Sequence, residues 1–262
     1  MKKLLILVLL INLCTFAKAQ TEANRLKNQE LSNDRYMAED VKDHFKGLDL
    51  SMLWTITENQ FIYGFIGNEH QRIYIKFIKV TKSPSKAHVY EVFGKSMVKN
   101  NVCDFHGTIT ITNIRKVKFT STGVDNEYKN KGIKGQYRTL GDYNFAENKT
   151  QPHSGIFKGH FETNFYVDKN NNVNYDALEK EADGFNNNQF AGIWIPYNGK
   201  TNKICNWGDY RILNSGDFDG GAGEFSPTDK YLKLGWQSVR DAYGNGPNAK
   251  AALKAEQTKW WK

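Results

Sequence analysis

Between Met52 and Val167 the apolar residues recur at every second position. Phe157, Phe161, Phe165 and Val167 share one phase with Gly159 and Thr163, while Lys158, His160, Glu162 and Asn164 occupy the other. Such alternation puts the two sets on opposite faces of an extended chain, as in a half-buried strand. Ile133, Tyr137, Tyr143 and Phe145 alternate with Lys134, Gln136, Arg138 and Asn144 in the same way, and Cys103, Phe105, Ile109 and Ile111 oppose His106, Thr108, Thr110 and Thr112. The pattern predicts further strands over 52–57, 60–66, 72–81 and 89–98, with a hairpin turn at Gly67-Asn68, and another over 190–195 that Pro196 ends. Strands with one polar face and short turns point to an antiparallel sheet. Gly135, Gly141 and Gly159 lie in the apolar phase, where a missing side chain permits bending or a close approach. A sheet that bends can close and hide its edges. The expected fold is mainly β: an antiparallel curved sheet or barrel with a short N-terminal helix and two C-terminal helices.

The helical period appears at the two ends. Met37, Val41, Phe45 and Leu48 form one stripe of a short helix within a polar lead over 20–50. A short helix is expected over 174–181. Ser226-Pro227-Thr228-Asp229 combines a capping serine with proline at the first helical position, and Leu232, Trp236, Val239 and Tyr243 follow on one stripe before Gly244. The last helix is expected over 249–260, with Leu253 and Trp260 facing inward. Both C-terminal helices should plug the barrel or lean on it. Residues 51–262 read as a single domain.

Residues 1–19 have a different character. A basic Met1-Lys2-Lys3, an apolar run from Leu4 to Leu13 and the small-x-small Ala17-Lys18-Ala19 form the layout of a cleaved export signal. Its removal takes three lysines from a formal charge of +8 and leaves +5. Periplasm or extracellular space is therefore the expected location. No later stretch approaches the ~18 apolar residues of a spanning helix, so no integral membrane span is expected. Basic residues are interleaved with acids apart from short patches such as Arg115-Lys116-Val117-Lys118, so no nucleic-acid partner is expected.

In an oxidising compartment Cys103 and Cys205 could pair, closing a loop of about 100 residues worth about 4.7 kcal/mol in the chain-entropy model. The alternative is two buried free thiols.

Two segments concentrate candidate chemistry. Asp168, Asn170, Asn172, Asp176 and Glu179 reproduce the oxygen spacing of a calcium-binding EF-hand loop, with Val173 where the turn glycine belongs. The alternative is an ordinary polar turn, and no other cofactor is suggested. The second segment, 205–224, brings Trp207, Asp209, Arg211, Asp217, Asp219 and Glu224 together with five glycines, and its carboxylates could bind a cation or act as acid and base. Trp194 and Trp207 could line a ligand cavity or fill a core. The six histidines form no HExxH, and the nucleophile-elbow and phosphate-loop motifs are absent.

Phe190-Ala191-Gly192-Ile193-Trp194, Cys205-Asn206-Trp207-Gly208-Asp209-Tyr210-Arg211 and Gly221-Ala222-Gly223-Glu224-Phe225-Ser226-Pro227 resemble segments of exported bacterial proteins with a lipocalin-like (calycin-like) β-barrel. The resemblance spans roughly Trp54 to Trp236. It implies a barrel and assigns no activity to any residue. The leading expectation is a non-enzymatic exported protein whose barrel mouth and 205–224 loops hold a small hydrophobic molecule or a glycan. The alternatives are a glycan-directed hydrolase using carboxylates of 205–224, and a structural envelope protein with a solid interior.

Overall fold

The computed structural model describes residues 28, 30–199 and 201–262. Residues 1–19, expected as an export signal, lie outside the described residues. Among the described residues nine strands form: β1 Ile62–Ile66, β2 Gln71–Lys82, β3 Val89–Val98, β4 Asn101–Lys116, β5 Ile133–Glu147, β6 Gly155–Asp168, β7 Val173–Tyr175, β8 Asn187–Pro196 and β9 Lys203–Asp209. Their order is β5-β4-β3-β2-β1-β9-β8-β6-β7, and a further β5–β6 pairing closes the ring. The result is a closed eight-stranded antiparallel barrel, with β7 as an extra strand beside the end of β6. Closure leaves the barrel without free edges.

The inward phase fills the middle of the barrel with rings. Phe190 stacks on Trp207 at 4.9 Å between centroids, Phe105 on Phe145 at 5.2 Å, and Phe77 and Phe157 pack edge-on against them. Two glycines make this packing possible. A Cβ on Gly159 would lie 2.1 Å from the Ala191 carbonyl, and one on Gly141 would lie 2.2 Å from that of Thr110. These are the close approaches that the glycines in the apolar phase suggested.

One end of the barrel is closed. Residues 52–57, expected as a strand, instead contain a 3-10 helix over Ser51–Trp54 that buries Leu53 and Trp54. The spacing of Leu50, Leu53 and Trp54, all buried, fits a helical turn better than alternation. Trp54 donates its indole N–H to Thr163 Oγ1 (3.0 Å), and the Tyr90 hydroxyl accepts the N–H of Leu50 (3.1 Å). The stripe Met37, Val41, Phe45 and Leu48 is not one helical face. Only a 3-10 helix over Lys42–Phe45 forms, burying Phe45 at this end while Met37 and Leu48 stay exposed.

Two further expectations are corrected. The segment 174–181 is not a helix, because Tyr175 joins β7 and reaches into the barrel. The first part of 205–224 is not irregular, because Cys205, Trp207 and Asp209 are the inward residues of β9.

The C-terminal segment leans on the outside. A 3-10 helix over Asp229–Leu234, α1 Gln237–Ala242 and α2 Ala249–Glu256 cover the outer face of β1 and β2. There Tyr63, Phe65, Phe218, Phe225, Tyr231 and Trp236 make a second apolar cluster. The Arg72 guanidinium and the Glu256 carboxylate, both buried, join β2 to α2. Ala252 and Glu256, rather than Leu253 and Trp260, are the buried residues of this last helix, which ends four residues earlier than expected. Among the described residues no helix is long and apolar enough to cross a membrane.

Candidate functional site

The end of the barrel opposite Trp54 is open. It gathers the end of β1, the start of β2, the end of β3, the end of β5, the start of β6 and the end of β8. Between them lies a cavity of about 870 Å³. Ile66, Ile73, Val98, Phe157, Trp194 and Leu234 supply apolar wall, and Ser96 and Glu147 supply the buried polar groups. The rim carries Asn68, Glu69, Lys99, Asn101, His153 and Lys203. Tight turns shape this rim: Gly67 and Lys99 both take positive φ, at 79° and 55°.

Glu147 is the central polar group. It continues the inward phase of Tyr143 and Phe145, so alternation alone carries its carboxyl into the barrel, where it is 5% exposed. The Ser96 hydroxyl donates to Oε1. Trp194 Nε1–H donates to Oε2 at 2.9 Å, and the Gly155 N–H donates to the same oxygen at 2.8 Å. Burial pushes the Glu147 carboxyl above its ordinary range, opposed by these three hydrogen bonds. Among the described residues no Lys, Arg or His forms an ion pair with it. The cavity therefore contains an acid that is hydrogen-bonded but has no counter-charge.

The thiols lie close by. Cys103 and Cys205 are both buried and free, on β4 and β9, so the expected disulfide is not formed. Each occupies an inward position of its own strand; Cys205 packs within the apolar core, whereas Cys103 accepts from Asn101 Nδ2 (3.3 Å) and donates to the Pro152 carbonyl (3.6 Å). Burial, then the Glu147 charge, raises both thiols, Cys103 to about 11. Thiols so shifted are poor nucleophiles.

The segment 205–224 does not converge on the cavity. Trp207 is a central core residue. Asp209 is buried towards the closed end, where its Oδ2 accepts from the Thr57 hydroxyl (2.6 Å), the Tyr175 hydroxyl (2.9 Å) and Asn188 Nδ2 (2.7 Å). Burial lifts its carboxyl to about 7. Arg211 pairs with Asp219 (2.6 Å) and also donates to the carbonyls of Gly221, Ala222 and Gly223. Asp219 accepts the N–H groups of Gly221 and Ser226. Asp217 is held by the Tyr231 hydroxyl and Lys230, and Glu224 is exposed. These groups fold a glycine-rich loop. Of the residues singled out for binding in the sequence, Trp194 alone lines the cavity.

The calcium-like spacing resolves into a turn between β6 and β7. Asp168 accepts the N–H groups of Asn170 and Asn172 and the Asn172 amide, while Asn171 takes positive φ. Asp176 faces elsewhere, accepting from Gln136 and from the Leu178 N–H, and Glu179 accepts from the Ser121 hydroxyl. Among the described residues no three His, Cys, Asp or Glu side chains are grouped to hold a metal ion.

Glu147 and Ser96 were not singled out from the sequence. The signal was present: each is a polar residue in the apolar phase of a strand, Glu147 after Tyr143 and Phe145, and Ser96 between Gly94 and Val98. Compared with protein-family models, curated proteins and solved structures, the chain gives no match.

Proposed function

We propose that this chain is an exported, non-enzymatic binding protein that holds one small molecule with an apolar body in the open mouth of its barrel. The observation that carries the reading is the 870 Å³ cavity at one end of an otherwise ring-packed barrel. Its volume lies within the ~300–1,000 Å³ of typical small-molecule sites, which combine apolar walls with a few placed polar groups. Ile66, Ile73, Val98 and Phe157 form such walls, and Ser96 and Glu147 are such groups. Walls in which Ile66, Ile73, Val98 and Leu234 outnumber the aromatic Phe157 and Trp194 favour an apolar body over a glycan. A solid interior would have favoured a purely structural role. The hydrolase alternative draws less support, because Asp209 is buried in the core, Asp217 and Asp219 are hydrogen-bonded within their loop, and Glu224 is exposed away from the cavity lining. The lipocalin-like resemblance and the export signal belong to this proposal and agree with it.

Titration with an uncharged, solvent-sensitive dye tests the reading. One dye per chain should bind with a rise in emission, and Val98→Trp, which fills the mouth, should abolish the signal. Absence of dye binding, or binding that Val98→Trp leaves intact, would overturn it.

A further inference from the structure

We infer that the ligand is an organic cation, an amine or quaternary ammonium on an apolar body, whose charge is received by Glu147. The inference rests on the binding reading above and specifies its ligand.

The argument begins with a deficit. A carboxylate taken out of water is costly unless it is paired. Among the described residues Glu256 pairs with Arg72, Glu162 with Arg138 and Asp219 with Arg211, whereas Asp209, which like Glu147 has only neutral donors, is enclosed in the core towards the closed end, away from the mouth. Glu147 is as deeply buried and has only neutral donors: a serine hydroxyl, an indole N–H and a backbone N–H. Its other near neighbours, Cys103 and Cys205, are thiols that burial keeps neutral. The three donors use both carboxylate oxygens, yet they bring no positive charge.

Unlike those paired acids, Glu147 borders a cavity large enough for a ligand. A cation arriving from the mouth would supply the missing charge in a poorly hydrated site. The Lys203 ammonium lies 5.7 Å from the centroid of the Trp194 ring, so the wall beside Glu147 already carries a cation over an aromatic face, a place an incoming ammonium would contest. Ile66, Ile73 and Val98 suit the apolar remainder. The rim lysines Lys99 and Lys203 make an anion the natural competitor, which would sit at the entrance instead of reaching Glu147.

Three probes of matched length separate these cases: n-octyltrimethylammonium, 1-octanol and octanoate, each displacing the uncharged dye from the protein. The cation should displace it at the lowest concentration. Glu147→Gln, nearly isosteric and checked for an unchanged fold by circular dichroism, should weaken the cation by roughly thirtyfold or more, the fold-change of losing one partner of a buried charge pair, and leave octanol within about twofold. Trp194→Phe retains both the charge and a ring, and should keep the preference for the cation. Equal or tighter binding of octanol or octanoate, no displacement by any of the three, or indifference of the cation to Glu147→Gln would overturn this inference while dye binding preserved the binding reading. Failure of the dye itself to bind would overturn both.

Discussion

Trp194 donates its indole N–H to Glu147 Oε2 over 2.9 Å, joining the end of β8 to the end of β5 at the open mouth. The two strands are not neighbours in the sheet, since β6 lies between them. The hydrogen bond therefore ties residues that backbone pairing does not, and it holds one face of the cavity in shape. Hydrogen bonds to charged groups contribute roughly 1.5–3 kcal/mol. Trp194→Phe should lower the stability of the protein to urea by about that amount. An unchanged midpoint would show that the contact contributes nothing to the fold.

Asp209 should give stability a dependence on pH. Its carboxyl titrates near 7 when folded because burial outweighs the hydrogen bonds from Thr57, Tyr175 and Asn188, whereas an unfolded aspartate titrates near 3.8. The folded state therefore holds a proton between these values that the unfolded state has released. The contribution is fully present below about pH 4 and is lost as pH rises through 7, on the order of 4 kcal/mol at about 1.4 kcal/mol per unit. Denaturation midpoints of the wild type should fall from pH 4 to pH 7 relative to Asp209→Asn, which cannot ionise. Parallel profiles for the two proteins would contradict this.

The Arg72–Glu256 pair is buried on both sides. Glu256→Ala would strand the guanidinium under α2 without its partner and should cost about 3–5 kcal/mol. It should also raise amide hydrogen exchange in α1 and α2 before the barrel strands respond. Uniform loosening of barrel and helices would argue against the C-terminal layer as a separately attached unit.

Cys103 and Cys205 should resist alkylation in the folded protein and react once it is unfolded, and a reducing agent should leave the melting temperature unchanged. Recovery of a linked Cys103–Cys205 peptide pair from protein kept oxidised would contradict the free-thiol state.

Period-two alternation made the long strands legible. The expected 89–98 coincides with β3, and 72–81 falls within β2, because these strands face the core on one side along most of their length. The errors fall where tertiary contacts set the local structure. Ser51–Trp54 winds into a turn because Leu53 and Trp54 must both seal the closed end. Tyr175 is extended because its hydroxyl reaches Asp209. The site was harder to read for a related reason. Acids clustered along the chain at 209–224 suggested chemistry, but the fold uses Asp209 in the core and Asp219 in a loop. Glu147 is an isolated acid on a strand, and it becomes conspicuous only when its phase is followed into the barrel.

The central claim is that the open mouth holds the ligand, and the six tryptophans provide residue-specific reporters of it. Their indole N–H resonances can be followed by ¹⁵N-correlated NMR during titration with an apolar cation, with the Trp194 peak assigned by its loss in Trp194→Phe. The Trp194 resonance should shift to saturation, while those of Trp54 at the closed end and Trp236 in the outer cluster stay in place. Movement of Trp54 or Trp236 with Trp194 unmoved would place the ligand elsewhere and contradict the account.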